Sequence, residues 1–250
     1  MTMKVGVTAE MYPDSWQKRA KAGETIGIPM PPVFSHYLQE ISAESPAFAQ
    51  AVFTEFMRGF RDTYNYIENF PVGPDRAKRV WRELGKRQSR GLLHRKQIGH
   101  PGPSCRKSCS ACCHIRVVLM DSEADALVEY LRAHDIKLDR ELILFQAEHA
   151  VTDDMHQEIP YEKRRCPILG DDGNCRAYDA RPSTCRKYLV ASEPRLCDVR
   201  ISDRAAVIMD PAVEGTVAAL GSLEEPEDKT FTNMPSRLLQ RISDDDKLWR

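Results

Sequence analysis

The sequence predicts a mainly α-helical chain carrying one short β-hairpin, a small α+β arrangement. Three observations predict it. Phe48, Val52, Phe56, Phe60, Tyr64 and Ile67 recur at spacings of four and three, the period of one helix face. Asp171-Asp172-Gly173-Asn174 is the strongest turn signal in the chain. All eight cysteines lie between residues 105 and 197, in two sets that flank two further predicted helices.

Residues 1–32 read as irregular, closed by Pro29, Pro31 and Pro32, which oppose helix. Ser45-Pro46 then supplies an N-cap followed by proline at the first helical position. The helix carrying the aromatic stripe runs from there to Phe70-Pro71, and the stripe reads as core. A second helix starts at Pro74-Asp75. The breaker-rich HPGPSC at 100–105 ends an N-terminal helical region (1–100) and opens a cysteine region (101–210). In that region, Ser122 with Asp125 three residues on predicts a capped helix presenting Ala124, Leu127, Val128 and Leu131. Asp139 caps another, with Leu142, Ile143, Gln146 and Ala150 on one side. The hairpin follows, with arms Cys166–Leu169 and Cys175–Tyr178. The rest (211–250) reads as a C-terminal helix and polar tail: EEPEDK and SDDDK, past residue 221, predict partial disorder or weak helix. There is no internal repeat.

Composition narrows the function classes. With 42% hydrophobic residues in 250, the chain can build a core without cross-links. A net charge of −1 opposes global attraction to nucleic acid or membrane. One local exception stands out. Arg76, Lys78, Arg79, Arg82, Lys86, Arg87, Arg90, Arg95 and Lys96 face only Asp75 and Glu83 over 75–96. An anionic partner such as nucleic acid is one reading. A solvated helix face is the better one, since Trp81 is the lone aromatic there. The N-terminus lacks a basic segment with an apolar h-region, and no apolar run approaches the roughly 18 residues of a span. A soluble, cytoplasmic protein without a membrane partner is the expectation. In such a reducing compartment, cysteines serve as metal ligands or redox groups more often than as structural disulfides.

Cys105, Cys109, Cys112 and Cys113 form the first cysteine set, and Cys166, Cys175, Cys185 and Cys197 the second. An antiparallel helix pair between them would return the chain to its start, so that the sets converge. Thiolates crowded into one pocket repel unless a cation neutralises them. Cys109-x2-Cys112 is the short spacing that lets two sulfurs face one metal. Cys113 points elsewhere in a regular backbone and suits a second metal or another corner of a cluster. A disulfide between Cys112 and Cys113 is disfavoured by geometry. Arg106, Lys107, Arg116, Arg164, Arg165, Arg176, Arg181, Arg186 and Lys187 would stabilise thiolates, which fits metal binding and reactive thiols alike. A metal-stabilised cysteine-cluster domain is the expectation.

Cys105-x3-Cys109-x2-Cys112-Cys113, followed by CPILGDDGNCRAYDARPSTCRKY, resembles the cysteine-cluster (CxxCxxCC, YkgJ-type) family, a zinc- or iron-chelating domain. The downstream half is the more specific: Cys166-Pro167, Leu169, Gly173, Cys175, Tyr178, Arg181-Pro182 and Cys185-Arg186 stand where the family pattern has them. The resemblance covers roughly residues 105–190, so Cys197 lies beyond its tightest part. It implies zinc or iron as the metal. Taken as candidate ligands together, the eight cysteines suit either two zinc ions or one iron–sulfur cluster, such as 4Fe-4S, with spare cysteines. Flagellin lysine N-methylases resemble the family through the same kind of motif, which implies a protein-modifying, cluster-dependent enzyme as the alternative. Pro182 would set Cys185 in a first helical turn, Gly173 would permit the tight return to Cys175, and Tyr178 would pack on the cluster.

Cys105-x3-Cys109-x2-Cys112 also has the spacing of radical S-adenosylmethionine enzymes. Ala111 stands where those carry an aromatic residue, and no βα alternation follows, so that reading fails. His114 reads as a hydrogen-bonding neighbour rather than a ligand. Asp153-Asp154 with His156 reads as a solvated loop. No phosphate-binding, dinucleotide or serine-hydrolase motif is present. The balance leans toward a metal-binding protein over an enzyme. Catalytic residues are unassigned, and a protein partner stays open.

Overall fold

The computed structural model describes residues 6–201, 204–224 and 233–250. It is 59% helix and 3% strand, with no sheet among the described residues. Four helices build the N-terminal body: α1 (Asp14–Lys21), α2 (Pro32–Glu44), α3 (Pro46–Ile67) and α4 (Pro74–Gln97). The expectation that 1–32 is irregular fails at α1. That helix is tied down by Trp16, whose indole donates to the Tyr64 hydroxyl at 3.1 Å. The prolines act as starters, with Pro32 opening α2, because a first-turn proline forgoes an amide that would be unpaired anyway.

The aromatic stripe of α3 is core, as predicted, with one exception. Phe34 stacks on Phe56 at 4.7 Å, and Phe56 and Phe60 are fully buried, whereas Phe48 in the first turn is 53% exposed. Ser45 caps α3 through Phe48 N. Against α3 lies α9 (Pro211–Glu224), the ninth helix in chain order. The two backbones touch: a Cβ on Gly215 would sit 2.0 Å from the Phe56 carbonyl oxygen, and one on Gly59 2.2 Å from that of Ala212. Ala218 and Ala219 continue this close seam. The C-terminal helix therefore completes the N-terminal core.

Beyond α4 the cysteine region contains α5 (Asp121–Ala133), α6 (Arg140–His149), α7 (Asp153–Glu158) and α8 (Ser183–Lys187). Asp139 caps α6 through Leu142 N at 3.0 Å, as expected. Ser122 does not cap α5. Its amide and hydroxyl instead donate to buried Glu224 at 2.8 and 2.5 Å, and Glu224 also pairs with Arg76 at 2.9 Å. Asp153, Asp154 and His156 form helix rather than loop, with Asp153 paired to Arg116 at 2.7 Å and His156 buried.

The predicted β-hairpin is not formed. Gly173, at φ +76°, does make the tight return, and Gly170 N donates to Asn174 O at 2.8 Å. Only one isolated bridge, Leu169 to Cys175, follows from it. Pro167 has no amide for a ladder, and the other arm bends into a 3₁₀ turn at Tyr178–Ala180.

The last helix, α10 (Met234–Leu239), packs on α5 and α6. Most of EEPEDK lies outside the described residues. The SDDDK stretch is neither helix nor loose: it leads to Leu248, 2% exposed, whose carbonyl accepts from Leu138 N at 2.7 Å. No described helix is long and apolar enough to cross a membrane.

Candidate metal centre

The first cysteine set lies on a loop ending in the 3₁₀ turn Ala111–His114. That loop is fixed from both sides. Ser104 N donates to Val190 O at 2.8 Å, and Cys113 N to Ser110 O at 2.8 Å. Hydrogen bonds then join it to the second set. Cys166 N donates to Cys113 O at 2.7 Å, and the Asn174 side chain accepts from both Ser108 N and Ser108 Oγ at 3.1 Å. The turn Pro194–Cys197 packs on Ala111–His114, which brings in Cys197. The two sets thus converge. All eight are free thiols; Cys105 is exposed, Cys197 buried, and the other six half-buried. Cys166, Cys175 and Cys185 lie against the apolar core of α5 and α6.

Cys185 owes its place to α8. Pro182 precedes the helix and accepts from Cys185 N at 3.0 Å. The first amide, Ser183 N, donates at 2.6 Å to the Glu123 carboxylate of α5, which also accepts from Trp81 Nε1 at 2.8 Å. Glu123 is 1% exposed, and burial raises its pKa against the pull of these donors. Arg186 lies 4.6 Å over the Trp81 ring. One buried carboxylate therefore pins α8 to both α4 and α5. Nothing in the sequence singled it out, although Glu123 standing among the apolar positions of α5 is the trace it leaves.

Burial and neighbouring thiols together hold most of these cysteines protonated. Burial pushes Cys166 up to about 11, with Cys175 and Cys112 contributing. Burial also holds Cys185 well above the ordinary thiol range, followed by Cys166, Cys112 and Cys175. Cys113 is raised by the hydrogen bond it gives to Cys112, then by burial and by Cys166; the same bond lowers Cys112. On the other side, burial and then Cys112, Cys109 and Cys105 push Cys197 up to about 11. Cys109 is raised by burial, then by Cys112 and Cys105. Cys166, Cys175 and Cys185 influence one another, Cys105 and Cys109 act on Cys197, and Cys112 acts on thiols of both sides.

Burial that keeps thiols protonated is what a cation reverses, and an all-sulfur donor set suits zinc and iron alike. Among the described residues, no three His, Cys, Asp or Glu side chains already stand as ligands around one ion. The backbone gathers the thiols, and side-chain rotation would have to close them on a metal.

One neighbour differs from expectation. Tyr178 does not pack on the cluster: it is 58% exposed and carries Arg181 at 3.5 Å over its ring. Tyr188 takes that place, its hydroxyl pushed up to about 12 by burial, then by Cys197, Cys112 and Cys105. His114 makes no hydrogen bond through its buried Nδ1, and its ring stacks on Tyr161 at 4.3 Å. The basic stretch 75–96 is largely consumed internally. Arg76 pairs with Glu224, Lys78 with Glu129 at 2.8 Å, Lys86 with Glu83 at 2.7 Å, and Arg79 covers Phe70 at 3.8 Å.

Residues 104–206 match the family model CxxCxxCC, described as "Putative zinc- or iron-chelating domain". No curated protein and no solved structure matches the chain. The match supports metal binding by the cysteine region, over residues 104–206.

Proposed function

We propose that the protein binds metal through all eight cysteines, in two four-thiol groups: Cys113, Cys166, Cys175 and Cys185 within, and Cys105, Cys109, Cys112 and Cys197 without. One observation carries the reading, the tie from Cys166 N to Cys113 O at 2.7 Å, which seats the second set on the first. The adjacent pair Cys112-Cys113 then supplies one sulfur to each group. Bound zinc or iron would neutralise the thiolates and cross-link four separate loops. The inner group, backed by apolar core, suits a structural ion. The outer group, with Cys105 exposed, suits an exchangeable one.

Anaerobic purification without added metal, with elemental analysis and a visible spectrum, tests this. Zinc in a colourless protein, or iron with thiolate charge-transfer absorption, is the expected result, and acid-labile sulfide would identify a cluster. A folded, metal-free protein with eight free thiols would overturn it.

A further inference from the structure

Away from the cysteines, a groove of about 680 Å³ runs between α3, α4 and the segment entering α9. Its apolar wall includes Phe48 and Ile98, 53% and 57% exposed, the former being the stripe residue that the core leaves out. Its charges do not balance. Glu55 is taken by Arg58, and Glu214 by Lys187 at 2.6 Å. Asp210 spends one carboxylate oxygen on the first amides of α9, Ala212 N and Val213 N, at 3.0 and 3.2 Å. Facing it are Arg87, Arg90 and Arg95. Arg87 is only 8% exposed; it forms an ion pair with Asp62 at 3.6 Å and acts on Asp210, but its Nε has no hydrogen-bond partner. A basic floor beside exposed apolar side chains complements a segment that is acidic on one face and apolar on the other.

We propose that this groove docks an acidic, amphipathic segment of a partner protein, its carboxylates on Arg87 and Arg90 and its apolar side chains on Phe48 and Ile98. The site reaches the cysteine domain. Gln88 donates to Arg186 O at 2.9 Å, and Lys187, which lines the groove, follows Cys185 by two positions on α8. A docked partner would therefore rest against the helix that carries an inner thiol.

The test uses the full-length protein and a labelled synthetic peptide with glutamate along one helical face and leucine along the other, read by fluorescence anisotropy. Saturable binding is expected that weakens with salt and is absent when lysine replaces the glutamates. Arg90→Glu and Phe48→Ser, both at exposed side chains, should each weaken it about tenfold. No saturable binding at low salt would overturn the proposal, as would binding indifferent to both variants. Self-association of the free chain that both variants abolish would also overturn it, by making a second copy the occupant.

Discussion

The helical body and the cysteine-bearing segments are held in different ways, although α5, α6 and α10 give the cysteine region an apolar core of its own. In the body, Phe34, Phe56 and Phe60 are fully buried, and α3 and α9 meet backbone to backbone at Gly59 and Gly215. In the cysteine domain, the segments bearing Cys105–Cys113 and Cys166–Cys197 are loops, 3₁₀ turns and the five-residue α8. Long helices bury enough apolar surface to stabilise themselves by packing; short irregular loops cannot, and need cross-links. Every cysteine of the chain lies between residues 105 and 197, on or beside such short segments.

Removing metal should separate the two regions most sharply. Structural zinc is worth roughly 10 kcal/mol or more in small domains that depend on it. Chelation should therefore abolish amide protection around 105–114 and 166–197 while α3 and α9 stay protected, as read by hydrogen exchange. Equal loss in both regions would erase the distinction. Next in size, Gly215→Ala should cost about 1–3 kcal/mol in thermal or denaturant unfolding by forcing α3 and α9 apart. Its metal content should be unchanged, because the seam lies outside the cysteine domain.

Much of the body was legible in the sequence, because the α3 stripe repeats at helix period and Ser45-Pro46 announces its start. The α9 contact was not. Glycine and alanine carry little periodic signal, and their meaning lies in how closely another helix approaches. For the site, the two cysteine sets were readable from spacing alone. The hairpin expected between Cys166 and Tyr178 failed because a good turn at Gly173 does not guarantee a ladder. Pro167 and the 3₁₀ turn at Tyr178 end the pairing at once. Glu123 and Tyr188 were missed because the groups they meet are distant in sequence: Trp81 and Ser183 for Glu123, and Cys105 and Cys112 for Tyr188.

Glu123 sharpens the contrast from the boundary, with a smaller effect. Its folded pKa is raised by burial, so its contribution is fully present below the ordinary carboxylate range and is lost as pH rises through the raised value. Glu123→Gln keeps an acceptor for Trp81 Nε1 and Ser183 N and should flatten that part of the stability–pH curve. Glu123→Ala, leaving both donors buried and unpaired, should cost about 1–3 kcal/mol. An unchanged pH profile in the glutamine variant would remove Glu123 from this role.

The most direct test of the two-group centre is metal content per chain, by elemental analysis, in Cys185→Ser and Cys109→Ser beside the parent protein purified the same way. Two groups predict that Cys185→Ser loses the inner metal with the outer one largely retained, and Cys109→Ser the reverse. Complete loss of all metal in both variants would contradict the division and place the thiols around one shared site.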